Sequence, residues 1–252
     1  MNTTKRHLRG TNRKTAIIVG VLYIIGTVSG MLSLVFTRPI LEEPDYLIQV
    51  SINPNPIVIG ALLILTMGLA LAMVPVMMFP ILKQYNEPMA IGYLLFRGAL
   101  EAVTYLALVI GWLSLTLISQ GYVNAIAADA FYFQSLGDLV LQAHDQIGHI
   151  LAVVFILGAL MFYYLLYRSK LVPRWLSGWG LLAAIPYFIS GILGLFTMLS
   201  PMSSGQMVLV LPLAVQEMFL AGWLIVKGFN SSSVTFGSAQ ASATQAQTIE
   251  FY

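Results

Sequence analysis

AIGYLLFRGALEAVTYLALVIGWLSLTLIS, residues 90–119, is long and apolar enough to cross a lipid bilayer, yet it contains an arginine and a glutamate. A charged side chain at the bilayer centre costs roughly 2.5–3.5 kcal/mol on insertion scales. Arg97 and Glu101 are four residues apart, so on a helix they share a face and can pair, which offsets part of this cost. The rest of the chain must provide helices that shield this face from lipid.

The composition is that of an integral membrane protein. Hydrophobic residues make up 58% of the chain and charged residues only 9%, whereas a soluble domain has about 25% charged residues. So few charges cannot cover a water-soluble surface. The net charge of +2 gives no indication of nucleic-acid binding, and the absence of cysteine excludes disulfides and thiolate metal sites.

Six apolar runs have the length of about 20 residues that a helix needs to cross roughly 30 Å of hydrocarbon. They cover residues 15–36, 57–82, 90–119, 143–167, 177–199 and 207–228. The runs are continuously apolar and not alternating, which is typical of membrane helices. We therefore predict an all-α, polytopic bundle of six transmembrane helices. In this prediction residues 1–14 are a basic tail, residues 15–229 the membrane domain and residues 230–252 a disordered tail.

Lysine and arginine are concentrated on one side of this topology. With the N-terminus in the cytoplasm, ten of the twelve fall in cytoplasmic segments: Lys5, Arg6, Arg9, Arg13, Lys14, Lys83, Arg168, Lys170, Arg174 and Lys227. Arg38 is outside and Arg97 is within the membrane. The positive-inside rule therefore predicts that both termini are cytoplasmic.

Two segments on the outer side are expected to have structure of their own. Residues 37–56 contain four prolines, which discourage helix, so we expect an extended, stiff lid. Residues 123–140 combine apolar residues at near-helical spacing with aromatic residues suited to the headgroup level. We expect a short interfacial helix there that leads into the fourth span. The alternative is that the fourth span itself begins early.

Other ionisable residues also interrupt the apolar spans. Glu217 lies near the middle of the sixth span, and Asp145 and His149 lie four residues apart in the outer half of the fourth, next to His144. Ionisable residues inside a membrane mark a functional site by default. We predict one lipid-shielded polar cluster from the third, fourth and sixth spans: Arg97, Glu101, Asp145, His149 and Glu217. Because one arginine faces two deep carboxylates, we expect one of them to hold a proton.

Three functions are compatible with these residue types. The one we favour is binding or translocation of a small molecule or ion, with Glu101 and Glu217 as proton-accepting groups and Arg97 holding an anion or a carboxylate. The second is a membrane-embedded, metal-dependent hydrolase of an apolar substrate that uses Asp145, His149 and a glutamate, although the chain has no HExxH motif. The third is a structural or sensory subunit with a purely structural ion-pair cluster. No catalytic residue, metal or cofactor is assigned, and the expected partners are the lipid bilayer and a small-molecule or ion ligand.

Three segments carry a resemblance to a known family: NEPMAIGYLLFRGALEA at residues 86–102, LVPRWLSGWGLLAAIP at 171–186 and QEMFLAGWLIVKGFN at 216–230. Over about residues 15–230 the chain resembles a bacterial group of six-helix membrane proteins classed as a domain of unknown function. The resemblance implies a bacterial inner-membrane protein and carries over no activity. The residues that match are Arg97, Glu101, Pro173, Arg174, Trp175, Glu217, Trp223 and Lys227. We interpret residues 173–175 and Lys227 as anchors at the inner leaflet.

Overall fold

A computed structural model describes residues 3–200 and 203–230 of the chain. In this part, six helices are long and apolar enough to cross a membrane, which confirms the predicted all-α bundle of six spans. Helix α1 (Thr3–Leu41) forms span one and α3 (Asn55–Leu82) forms span two, with a short helix α2 (Tyr46–Ile52) between them. Span three consists of α4 (Glu87–Tyr93), a π-helical segment (Leu94–Leu100) and α5 (Glu101–Asn124). Spans four, five and six are α6 (Ala127–Ser169), α7 (Arg174–Leu195) and α8 (Ser204–Val226).

The start of α1 and the end of α8 meet at one end of the bundle, which we call the N-terminal end. Residues 3–14, predicted as a tail, have a helical backbone that continues into span one. Arg13 in this segment donates hydrogen bonds to the carbonyl oxygens of Leu224 and Ile225, at 3.0 and 2.6 Å. Of the tail predicted to be disordered, residues 231–252 lie outside the described part of the chain.

The segment 37–56 is mostly helical, so the prediction of an extended lid was wrong. Helix α1 runs through Pro39 to Leu41, and α3 begins with Pro54 at its N-cap and Pro56 in its first turn. A proline lacks the N–H that donates to the preceding turn, but near a helix end few such bonds are lost. These prolines therefore mark helix ends and do not keep the segment extended.

Helix α2 is a packed part of the bundle. Tyr46, Leu47 and Val50 are buried and share a hydrophobic cluster with Trp112 of α5. The Tyr46 hydroxyl donates a hydrogen bond to Asp138 of α6 at 2.8 Å. Burial and the nearby carboxylate raise the pKa of Tyr46 well above its ordinary value, so this hydroxyl remains a donor at any physiological pH.

Residues 127–169 form a single helix, so the segment predicted as an interfacial helix belongs to span four. Helix α5 ends at Asn124, and only Ala125 and Ile126 adopt extended backbone before α6 begins. The near-helical spacing was correctly recognised, and the alternative of an early start to span four is the one observed. No proline interrupts residues 127–169, so nothing in the backbone forces a break.

The six spans form a closed ring in chain order. Each span contacts the next one, from α1 with α3 to α7 with α8, and α8 returns to contact α1. Two glycines of α1 lie at close contacts with α3 in this ring. A Cβ atom on Gly26 would lie 2.8 Å from the Leu71 side chain, and one on Gly30 would lie 2.7 Å from the Met67 sulfur. These glycines thus let α1 approach α3 closely. In a ring of this order, spans three and six face each other across the interior.

Candidate functional site

A π-helical segment places Arg97 and Glu101 on the inner face of span three. In residues 94–100 the helix is wider than an α-helix, and the Glu101 amide donates to the Phe96 carbonyl five residues earlier. Single π turns inside α-helices occur frequently at functional sites. Tyr93, Arg97, Glu101 and Tyr105 are all buried at intervals of four residues. The segment therefore gives span three one continuous polar stripe that faces inward.

Arg97 contacts two carboxylates from opposite sides of the ring. Its Nη1 lies 3.3 Å from Oε2 of Glu101, and its Nη2 donates to Oε1 of Glu217 at 3.2 Å. The side chains of Arg97 and Glu101 are 3% and 2% exposed, whereas that of Glu217 is 16% exposed. An ion pair thus joins span three to span six through the interior, and Glu217 is its most accessible member.

Aromatic rings enclose the guanidinium. Its carbon lies 4.3 Å from the ring centre of Phe155 in α6 and 5.8 Å from that of Tyr23 in α1. Both contacts are cation–π interactions, which gain strength when water is excluded. Gly158 makes room for span three, because a Cβ atom there would lie 3.0 Å from the Arg97 backbone nitrogen. Span four therefore contributes the aromatic ring of Phe155 and, at Gly158, the space that lets span three pack closely.

Further hydroxyl groups surround the carboxylates. Tyr23, Tyr163 and Tyr187, from spans one, four and five, lie within electrostatic range of Glu217. Among the described residues, the Tyr163 hydroxyl is buried without a hydrogen-bond partner. The cluster thus holds one cation, two carboxylates and a lining of tyrosines, with hydrogen-bonding capacity left over.

Asp145 and His149 lie apart from this cluster. Within the described residues, no ion pair or hydrogen bond joins either of them to Arg97, and Asp145 is exposed. His149 is buried, with its ring where a side chain on Gly194 of α7 would be. Its position is six residues, or roughly 9 Å at helical rise, from that of Phe155. The structure therefore brings together Arg97, Glu101 and Glu217 but leaves the two fourth-span residues at another level.

His144 also has a packing partner of its own. Its ring lies against Trp112 of α5, with centroids 3.9 Å apart. This contact joins spans three and four near the end opposite the N-terminal end, away from Arg97.

Comparison with known families agrees with the resemblance seen in the sequence. A family model described as a domain of unknown function, DUF4386, matches residues 18–228. The chain belongs to the DUF4386 family. The matched region of this DUF4386 protein includes nearly all of the six spans and all three members of the ion-pair cluster. No curated protein and no solved structure matches the chain significantly.

The hydrolase alternative requires several metal ligands close together in the DUF4386 domain. Among the side chains that the structure describes, in residues 12–126, 129–200 and 203–230, no three histidine, aspartate or glutamate side chains come close enough to share a metal ion. A zinc site of the hydrolytic kind uses three protein ligands. The predicted trio of Asp145, His149 and a glutamate is therefore not assembled in the described part of the chain.

Sequence reasoning missed the aromatic part of the DUF4386 site. Phe155 and Tyr23 had no distinguishing signal, because the chain contains 13 phenylalanines and 12 tyrosines. The π-helical segment, in contrast, did have a distinguishing signal in the sequence. Polar or tyrosine residues recur every four positions from Tyr93 to Tyr105, whereas an α-helix with 3.6 residues per turn would rotate such a row off one face. A strict spacing of four over three turns indicates a widened turn.

Proposed function

We propose that this membrane protein binds or translocates a small molecule or ion at the cluster of Arg97, Glu101 and Glu217, and that Glu217 gains and loses a proton as it does so. The observation that supports this is the charge balance, since one guanidinium contacts two carboxylates. With both carboxylates ionised, the cluster carries a surplus negative charge that a buried environment penalises. A proton or a cationic group from outside the cluster removes this charge.

Glu217 is the carboxylate best suited to exchange a proton. It is more exposed than Glu101, and its hydrogen bond to Arg97 is the connection between spans three and six. When Glu217 is protonated, Arg97 keeps Glu101 as its charged partner within span three. The strength of the connection across the ring would then depend on protonation, and a proton-linked cycle requires such a two-state element.

Infrared difference spectroscopy on the reconstituted protein tests this proposal without a known ligand. When the pH is raised from mildly acidic to mildly alkaline, the infrared spectrum of the wild-type protein should lose the C=O stretch of a protonated carboxylic acid. Glu217→Gln should remove that band, whereas Glu43→Gln, at an exposed position between α1 and α2, should leave it unchanged. Absence of the band from the wild-type protein would overturn the proposal. Proton flux into sealed vesicles then distinguishes translocation from binding alone.

A purely structural cluster is the second candidate, and the enclosure of Arg97 by Phe155 and Tyr23 favours it. A structural role requires the ion pairs for folding and involves no proton exchange. Glu101→Gln and Glu217→Gln would then lower the unfolding temperature, and the wild-type protein would show no pH-dependent carboxylic acid band. The pH-dependent carboxylic acid band in the same spectra therefore separates the two candidates.

We also propose that the N-terminal end of the bundle faces the cytoplasm across a bacterial inner membrane. Support comes from the basic residues at that end, among them Arg13, Lys83, Arg174 and Lys227. Positive charge close to the ends of spans remains on the cytoplasmic side during insertion.

A further inference from the structure

Two of the three segments that carry the family resemblance, residues 171–186 and 216–230, meet in one pocket at the N-terminal end of the bundle. The Pro-Arg-Trp motif begins α7, and the Trp-Leu-Ile-x-Lys-Gly-Phe motif ends α8. Between them is a pocket of about 560 Å³ that residues 170–174 and 227–230 line together with Trp223. The ion-pair cluster makes no use of this pocket.

The rim of the pocket is positively charged. Lys170, Arg174 and Lys227 line it, and all three side chains are exposed. The guanidinium of Arg174 is held over the Tyr167 ring at 5.1 Å. Basic pockets between membrane helices on the cytoplasmic side bind anionic lipid headgroups. The charge of the rim is complementary to a phosphate group.

Backbone contacts fix the wall of the pocket in place. Helix α8 ends in a turn through Gly228, whose φ of +73° is readily adopted by glycine. The amides of Lys227 and Gly228 both donate to the Trp223 carbonyl, and the Asn230 amide donates to the Leu171 carbonyl at 2.9 Å. These bonds join the end of α8 to the loop that precedes α7. The pocket is thus preformed and does not depend on a ligand to order it.

An apolar groove continues from the pocket along the surface between α1 and α8. The groove has a volume of about 620 Å³, and Trp223 and Lys227 line both spaces. Its other walls include Thr27, Met31, Val215, Met218, Phe219 and Gly222. From the end of α8 to Ala214 the groove follows twelve residues, or roughly 18 Å at helical rise. This length is close to half the hydrocarbon core, about 15 Å, which one acyl chain occupies.

A pair of tryptophans lies where the pocket and the groove join. Trp175 and Trp223 pack edge to face with ring centroids 6.5 Å apart. Tryptophan concentrates at the level of lipid headgroups, because its ring is apolar and its N–H is polar. The pair therefore places the boundary between water and hydrocarbon at this junction.

We propose that this surface binds one anionic phospholipid, with its phosphate among Lys170, Arg174 and Lys227 and one acyl chain in the groove. A polar, negative group in the pocket and an apolar chain in the groove match both halves of the continuous space. The proposal does not depend on the function proposed for the buried cluster.

Native mass spectrometry of delipidated protein in detergent tests the proposal, with phosphatidylglycerol and phosphatidylcholine of identical acyl chains as the probes. One phosphatidylglycerol should bind at least about tenfold more tightly than phosphatidylcholine. Each basic residue near a membrane surface contributes about fivefold, so the double variant Arg174→Gln/Lys227→Gln should bind phosphatidylglycerol about 25-fold more weakly. Lys83→Gln, an exposed lysine at the same end, is the matched control and should bind like wild type.

Gly222→Leu tests the groove independently of charge. A Cβ atom at this position meets no other atom within 4 Å, so the side chain fills the groove without disturbing the fold. Gly222→Leu should weaken binding of both lipids and leave the unfolding temperature unchanged. Unchanged lipid binding in this variant would overturn the proposal in favour of a site for soluble phosphates, which glycerol phosphate would then occupy equally well. Equal affinity for the two lipids, or an equal loss in Lys83→Gln, would also overturn it.

Discussion

At the scale of single residues, two arginine–glutamate pairs four residues apart illustrate how burial decides what an ion pair contributes. Arg38 and Glu42 pair at 2.6 Å, but their side chains are 48% and 62% exposed. Arg97 and Glu101 pair at the longer distance of 3.3 Å and are almost fully buried. Water and ions compensate the exposed charges if the pair is broken, whereas nothing compensates the buried ones.

We therefore expect Arg97→Gln to destabilise the protein far more than Arg38→Gln. Loss of one partner from a buried ion pair costs about 3–5 kcal/mol, because the remaining charges stay uncompensated. Loss of an exposed pair costs below about 1 kcal/mol. The free energy of unfolding in mixed micelles, measured by titration with a denaturing detergent, checks the difference. Equal losses in the two variants would show that the buried cluster is not held by its charges.

The residue scale also shows which features of the site could be predicted from sequence. Arg97, Glu101 and Glu217 were recognisable because charge is so costly in an apolar span that each had to find a partner. Phe155 and Gly158 were not, since aromatic and small residues are common in all six spans. Asp145 and His149 were grouped with the cluster because they are ionisable residues within an apolar span, and residue type does not specify which face of a span is turned inward.

At the scale of elements, the end of α8 depends on a side chain from the start of α1. The last four carbonyl groups of a helix have no partner within the helix. Arg13 donates to three consecutive carbonyls, those of Leu224, Ile225 and Val226. The positive charge also interacts favourably with the negative end of the helix dipole. A residue far away in sequence thus caps the sixth span.

Arg13→Ala should therefore fray the end of α8, while Lys14→Ala, at an exposed neighbouring position, should not. Hydrogen bonds to a charged donor contribute about 1.5–3 kcal/mol, and partial exposure places this effect at the lower limit of that range. Hydrogen exchange measured by mass spectrometry should be faster for the amides of residues 224–229 in Arg13→Ala alone. Equal protection in both variants would show that the cap contributes nothing.

Helices were predicted well where apolar length determines the structure. They were predicted poorly where the structure depends on the position of a residue within its helix. All six spans follow from apolar length. The prolines of residues 37–56 were misinterpreted, because a proline in a first turn and one in the middle of a segment look alike in sequence. The π-helical segment left its mark only as a spacing of four, which is apparent once burial shows that Tyr93, Arg97, Glu101 and Tyr105 share a face.

At the scale of the whole molecule, the even number of spans and the contact of Arg13 with α8 place both ends of the membrane domain on one side. Because the chain has no cysteine, single introduced cysteines can report this topology without background. Lys83→Cys lies at the N-terminal end of the bundle and Gln49→Cys lies in α2 at the other end, both exposed. In intact cells a membrane-impermeant maleimide should label only Gln49→Cys, and permeabilised cells should show both. The reverse pattern would contradict the proposed orientation.

The contact between the first and last spans has a consequence for how the protein is made. Helix α8 is synthesised after the other five spans. It contains Glu217, which pairs with Arg97, and Ile225, which packs against Gly20 of α1. Until then the five inserted spans form an open arc, and Arg97 can pair with Glu101 but not yet with Glu217. The insertion machinery, or the lipid around it, must shelter that arginine until α8 arrives, so the interior is completed only after the sixth span has been inserted.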